Sequence, residues 1–120
     1  MSGTLAYLKQ YEHKAVDEFF RRLLQVDGIK TDAVWLFGSK TRGDFDADSD
    51  IDLLVVLETV DWKHKERIRM TDSRVSLEYD VLLNTHILSR ERWEEMARYQ
   101  ATLWREVQRD GVSLMPDTIC

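Results

Sequence analysis

Ala33-Val34-Trp35-Leu36-Phe37-Gly38-Ser39, followed after ten residues by Asp50-Ile51-Asp52-Leu53-Leu54-Val55-Val56-Leu57, organises this chain. The first five residues are short, apolar and rich in β-formers, and they predict a buried strand that delivers the chain to a Gly-Ser turn. Asp50 to Leu57 predicts a second strand. With a side-chain period of two, Asp50 and Asp52 project from one face while Ile51, Leu53 and Val55 project from the other. Carboxylates spaced roughly 6 to 7 Å along one strand face can share a metal, or an adjacent metal pair about 3.5 to 4 Å apart. Small residues at a strand end let backbone N–H groups approach a phosphate, and paired carboxylates hold the divalent cations that phosphate needs. The combination points to phosphoryl or nucleotidyl transfer.

Two plainer readings compete. An acidic, solvated loop ahead of an ordinary strand would explain Asp44 to Asp50, but not the strand contexts on both sides. A calcium loop would explain the alternation of Asp44, Asp46, Asp48, Asp50 and Asp52, yet its sixth position would be Ser49 rather than Gly and its twelfth Val55 rather than Glu.

Composition fits a small domain. The chain has 120 residues, 43% of them hydrophobic, enough for one core and one domain over residues 1–120. Cys120 is the single cysteine, so no disulfide is expected. No run approaches a membrane span, and Met-Ser-Gly-Thr lacks the charged-then-apolar pattern of a signal, which makes the cytoplasm the expected compartment. A formal charge of −5 argues against a protein that grips a nucleic-acid backbone. The basic run from Lys63 to Arg69 reads as a solvated helix face. His13, His64 and His86 form no pair at zinc-ligand spacing; His86 could face the site, with a satisfied core histidine as the leading reading.

The coarse order is α-β-α-β-α-β-α. Apolar residues at Leu5, Leu8, Ala15, Val16, Phe19, Phe20, Leu23 and Leu24 predict a long helix over Thr4 to Val26, stopped at Asp27-Gly28. A short helix is expected from Ser39. Asp61 to about Leu77 predicts a charged helix whose buried side carries Trp62, Ile68, Met70 and Val75. A strand over Val81 to Leu88 follows. Ser89 can cap a last helical region bearing Trp93, Met96, Ala97, Leu103, Trp104 and Val107, with a break near Tyr99 or Gln100 and a close at Gly111.

Gly38-Ser39, Arg42-Gly43, Ser49-Asp50-Ile51-Asp52 and the following Leu-Leu-Val-Val resemble the signature of the DNA polymerase beta-like nucleotidyltransferases, in particular their stand-alone minimal branch. Ser76 to Leu83 and Leu103 to Val112 also look like segments of those small proteins. The resemblance implies an α/β (α+β) fold, a small mixed β-sheet packed with helices. It implies attack of a hydroxyl on the α-phosphate of ATP, with pyrophosphate leaving. Carried over residue by residue, Gly38, Ser39 and Arg42 would contact the triphosphate, and Asp50 and Asp52 would hold Mg²⁺ in a two-metal arrangement. Active members commonly carry a third carboxylate on the next strand. Here the middle of that strand is Asn84, which can ligate through its carbonyl oxygen but brings no charge and cannot act as a base; Glu78 and Asp80 are the nearby substitutes.

A second substrate has little room in so short a chain, so an acceptor or another chain must complete the cleft. Minimal-branch proteins are often paired with a HEPN-type toxin, which they restrain by adding AMP or by binding. The leading expectation is therefore an antitoxin that transfers AMP to a partner protein. A catalytically degenerate module that neutralises its partner by binding is one alternative, and transfer to an aminoglycoside-type small molecule is another. Exposed sheet edges or tryptophans would support a homo-oligomer, though nothing requires one.

Overall fold

Within residues 8–26, 28–38 and 50–115, which the computed structural model describes, the chain runs α1 (Gln10–Leu24), β1 (Thr31–Phe37), β2 (Ile51–Leu57), α2 (Trp62–Tyr79), β3 (Leu83–Ser89), α3 (Arg90–Tyr99), α4 (Thr102–Asp110) and β4 (Val112–Ser113). The four strands form one sheet in the order β3-β2-β1-β4. β1 is antiparallel to both β2 and β4, whereas β2 and β3 are parallel. A parallel pair needs a crossover, and α2 supplies it. The mixed sheet packed with helices is the architecture that the resemblance implies.

Alternation along the strands sorts the core into two layers. Val34, Leu36, Ile51, Leu53, Val55 and Leu57 pack with Ala15, Val16, Phe19 and Leu23 of α1 and with Ile68 and Val75 of α2. On the other face Phe37, Leu54 and Val56 pack with Val107 of α4, joined by Trp35, Trp93 and Leu103. β2, covered on both sides, buries every residue except Asp52. That exception sets the site.

Helix ends follow the residues available. Asp61 caps α2 by accepting the His64 N–H at 2.9 Å, and Ser89 caps α3 by accepting that of Arg92 at 3.1 Å. The break in the last helical region falls at Gln100, which adopts a left-handed φ of 51°. Gly111 ends α4, donating its N–H to the Val107 carbonyl at 2.7 Å. Leu5, Asp27, the expected helix from Ser39, Pro116 and Cys120 lie outside the described residues.

Three expectations are corrected. α1 begins at Gln10, so Leu8 is buried ahead of the helix, and its packed stripe ends before Leu24, which is 53% exposed. Trp62 and Met70 do not face the core: they are 70% and 47% exposed. Met70 lies two residues from Ile68, about 200° around the helix, so the narrow Ile68–Val75 stripe that touches the core turns it outward. The short strand β4 has no counterpart in the expected order. It pairs Val112 and Ser113 with Leu36 and Trp35, a placement fixed by where α4 ends rather than by β-propensity.

Asp72 on α2 makes a pH test of this packing. Burial pushes its carboxyl above the ordinary value of 3.8, against the hydrogen bond from Ser76 and the charge of Arg69. A raised folded-state pKa means that both states hold the proton below the unfolded value, and that the ionised form penalises the folded state as pH rises through the folded value. Asp72→Asn should therefore gain stability over wild type as pH rises from about 3.8 toward neutrality. Denaturant midpoints across that window check it; a constant difference between the two proteins would contradict the assignment.

Candidate active site

At the end of β1, Gly38 takes a φ of 89°, a region that favours glycine. Space imposes a second condition. A Cβ on Gly38 would overlap Asp52 Oδ2 and come within 3.1 Å of Asp52 Cγ. Gly38 and the carboxylate are therefore in direct contact.

Sheet register explains why they meet. Phe37, the residue before the turn, lies opposite Asp52 across the antiparallel pair. Asp52 in turn lies beside Asn84 across the parallel pair, and Asn84 Nδ2 donates to Asp52 Oδ1 at 3.0 Å. Asn84 thus occupies the neighbouring-strand position at which the resemblance anticipated a third carboxylate.

The electrostatics are those of a crowded acidic site. Burial pushes the Asp52 carboxyl above its ordinary value; the Asn84 hydrogen bond and the charge of a protonated His86 oppose this, while the charges of Asp50 and Glu106 add to it. Asp50, immediately before β2, is exposed. The strand therefore starts one residue later than expected, with Ile51, between the two Asp residues, 1% exposed in the opposite layer.

Glu106 was not legible as a site residue, and for His86 the site was the lesser of two readings. His86 lies on the Asp52 side of the sheet, its ring 5.6 Å from that of Phe37 and tilted by 49°, so it is a neighbour of the site rather than a core histidine. Its alternation with Asn84 along β3 was the available signal. Glu106 comes from α4, one residue before the buried Val107. No local pattern links it to Asp52.

The two acidic substitutes stand elsewhere. Glu78 Oε1 accepts from Arg22 Nη2 at 2.7 Å, joining α2 to α1 in the opposite layer. Asp80 is the left-handed cap residue of α2, at φ 55°, a junction residue. Ser39 and Arg42 lie outside the described residues.

Among the described residues, no three His, Cys, Asp or Glu side chains gather as a metal site. The donor set is a carboxylate pair with an adjacent amide. Hard oxygen donors of this kind suit a divalent cation such as Mg²⁺, and a cation would offset the burial and like-charge cost at Asp52. The residues present fit the group. Among the described residues, no helix is long and apolar enough to cross a membrane.

Comparison with known proteins agrees with this geometry. A protein of Methanocaldococcus jannaschii, provisionally named a protein adenylyltransferase, is 40% identical over 70 residues, 58% of this chain and 71% of the relative. A crystal structure of a toxin-antitoxin with AMP-PNP superposes with a TM-score of 0.51 at 21% identity, covering 81% of this chain and 70% of the other. A mutant of the toxin-antitoxin MntA-HpeT gives 0.50 at 19% identity, over 80% and 69% of the two chains. At such identities the likeness is one of fold. The model of the nucleotidyltransferase domain matches residues 14–100, a span that holds Gly38, Asp50, Asp52 and Asn84 and ends before α4. On that match, the chain belongs to the nucleotidyltransferase domain family and is a nucleotidyltransferase.

Proposed function

We propose that this nucleotidyltransferase binds ATP with Mg²⁺ at the Gly38 end of the sheet and transfers AMP to a hydroxyl of a partner protein. The partner of choice is a HEPN-type toxin, for which the chain, acting as one minimal domain over residues 1–120, would be the antitoxin. The observation that carries this reading is the contact between the Gly38 turn and the Asp52 carboxylate. It brings a backbone suited to phosphate and an anion suited to a phosphate-bound cation to one end of the sheet. The name of the Methanocaldococcus jannaschii relative favours protein as acceptor, and the toxin-antitoxin folds favour a toxin.

In this reading Asp50 and Asp52 hold the cation, and Gly38, Ser39 and Arg42 hold the triphosphate. The cation, when bound, supplies charge neutralisation of the triphosphate. The acceptor oxygen forms a bond to the α-phosphorus as the bond to the bridging oxygen breaks; pyrophosphate leaves with that electron pair. The hydroxyl proton passes to an Asp carboxylate of the site.

A second reading, neutralisation by binding alone, draws on the neutral Asn84 beside Asp52. One experiment separates them. The chain is incubated with the candidate partner, ATP and Mg²⁺, and the partner's intact mass is followed for wild type and for Asp50→Ala/Asp52→Ala. Gain of AMP with wild type only is the expected result. A stable complex with both proteins and no mass change would replace transfer by binding.

A further inference from the structure

Asn84 is exposed, yet its side chain makes a defined contact. Its Nδ2 donates to Asp52 Oδ1 at 3.0 Å. The other oxygen of the same carboxylate, Oδ2, lies against Gly38, where a Cβ would overlap it. The two oxygens of Asp52 therefore have different environments. One is engaged by an amide on β3, and the other faces the turn at the end of β1. A carboxylate oxygen retains acceptor capacity after one hydrogen bond, but its rotation about the side-chain axis does not stay free. A carboxylate in place of Asn84 would have no proton to donate and would add a further like charge beside Asp52, Asp50 and Glu106.

We propose that Asn84 is a positioning residue: by donating to Oδ1 it fixes the rotation of the Asp52 carboxylate, so that Oδ2 is presented at the Gly38 turn to the cation and phosphate that the site receives. The inference rests on the reading of Asp50 and Asp52 as the cation site. It gives the neutral residue a role of its own, distinct from that of a lost carboxylate. A purely structural role fits poorly, since the Asn84 amide reaches solvent and water can replace its hydrogen bond at small cost to stability.

The test uses the full chain without nucleotide and Mn²⁺ as probe. Mn²⁺ affinity is measured by electron paramagnetic resonance for wild type, Asn84→Ala, Asp52→Ala and Asp50→Ala/Asp52→Ala, alongside Tm and the side-chain amide signals in a ¹⁵N spectrum of the metal-free protein. Loss of an outer partner of a metal ligand typically weakens affinity about 10- to 100-fold, and that range is expected for Asn84→Ala with Tm within about 3 °C of wild type. The Asn84 amide pair should be displaced in wild type and revert in Asp52→Ala. Unchanged Mn²⁺ affinity in Asn84→Ala, an amide signal indifferent to Asp52→Ala, or a large fall in Tm that accounts for the weaker binding would each overturn the positioning role. Mn²⁺ affinity unchanged in the double Asp variant would instead remove the cation-site reading on which it rests, and the two failures are thereby told apart.

Discussion

Asp52→Ala is expected to lower AMP transfer by at least about a thousandfold, on the order of 4 kcal/mol of barrier. The substitution deletes a charge that faces the turn and leaves Asn84 without the acceptor it holds at 3.0 Å. Asp50 has no route to take over. Moving Asp50 into the vacated place would need a two-residue slip of β2, which breaks its whole register with β1 and β3 and puts the polar Ser49 in the place of Ile51, which is 1% exposed. Stability should move the other way. Burial raises the Asp52 carboxyl above its ordinary value, which means that at neutral pH its ionised form costs the folded state free energy. The variant should therefore keep or exceed the wild-type Tm while losing transfer, read from α-labelled ATP under single-turnover conditions. Transfer that survives in a folded Asp52→Ala protein would exclude this carboxylate from the chemistry.

Gly38→Ala is expected to damage both stability and activity. An L side chain at a φ of 89° costs about 1–2 kcal/mol. The added Cβ also drives into Asp52 Oδ2, so either the carboxylate rotates away from Asn84 or the β1–β2 edge opens. Transfer should fall about a hundredfold or more, comparable with removing one stabilising donor from an active site. Gly28 provides the control. Its φ is also positive, at 80°, but a Cβ there would meet only His64 Nε2, at an ordinary 3.8 Å. Gly28→Ala should lose similar stability through the backbone while leaving transfer nearly intact. Equal loss of transfer in the two variants, compared at matched folded fraction, would mean that Gly38 acts through general destabilisation and not through Asp52.

The sequence alone determined the features that depend on a residue and its near neighbours. Apolar β-formers on either side of Gly38 and Asp50 specified two strands. The period of two placed Asp52 on one face and Ile51 and Leu53 on the other, since successive side chains of a strand must alternate. Ser89 marked a helix start because its side chain accepts a backbone N–H group that a helix leaves unpaired; the same role of Asp61 came only from the structure. The same periodicity misassigned Trp62 and Met70: an apolar residue on a helix signals burial only if the helix turns that side toward a neighbour.

Tertiary structure decided the rest. The order β3-β2-β1-β4 sets Asn84 and Phe37 on the two sides of Asp52, brings Oδ2 against Gly38, and lets α4 add the charge of Glu106. It also sends Glu78 to Arg22 in the opposite layer. These contacts join residues far apart in the chain. Local pattern gives the face a side chain takes, whereas its neighbours there depend on which strands pair and in what register, a choice made by burying both faces of β2 at once.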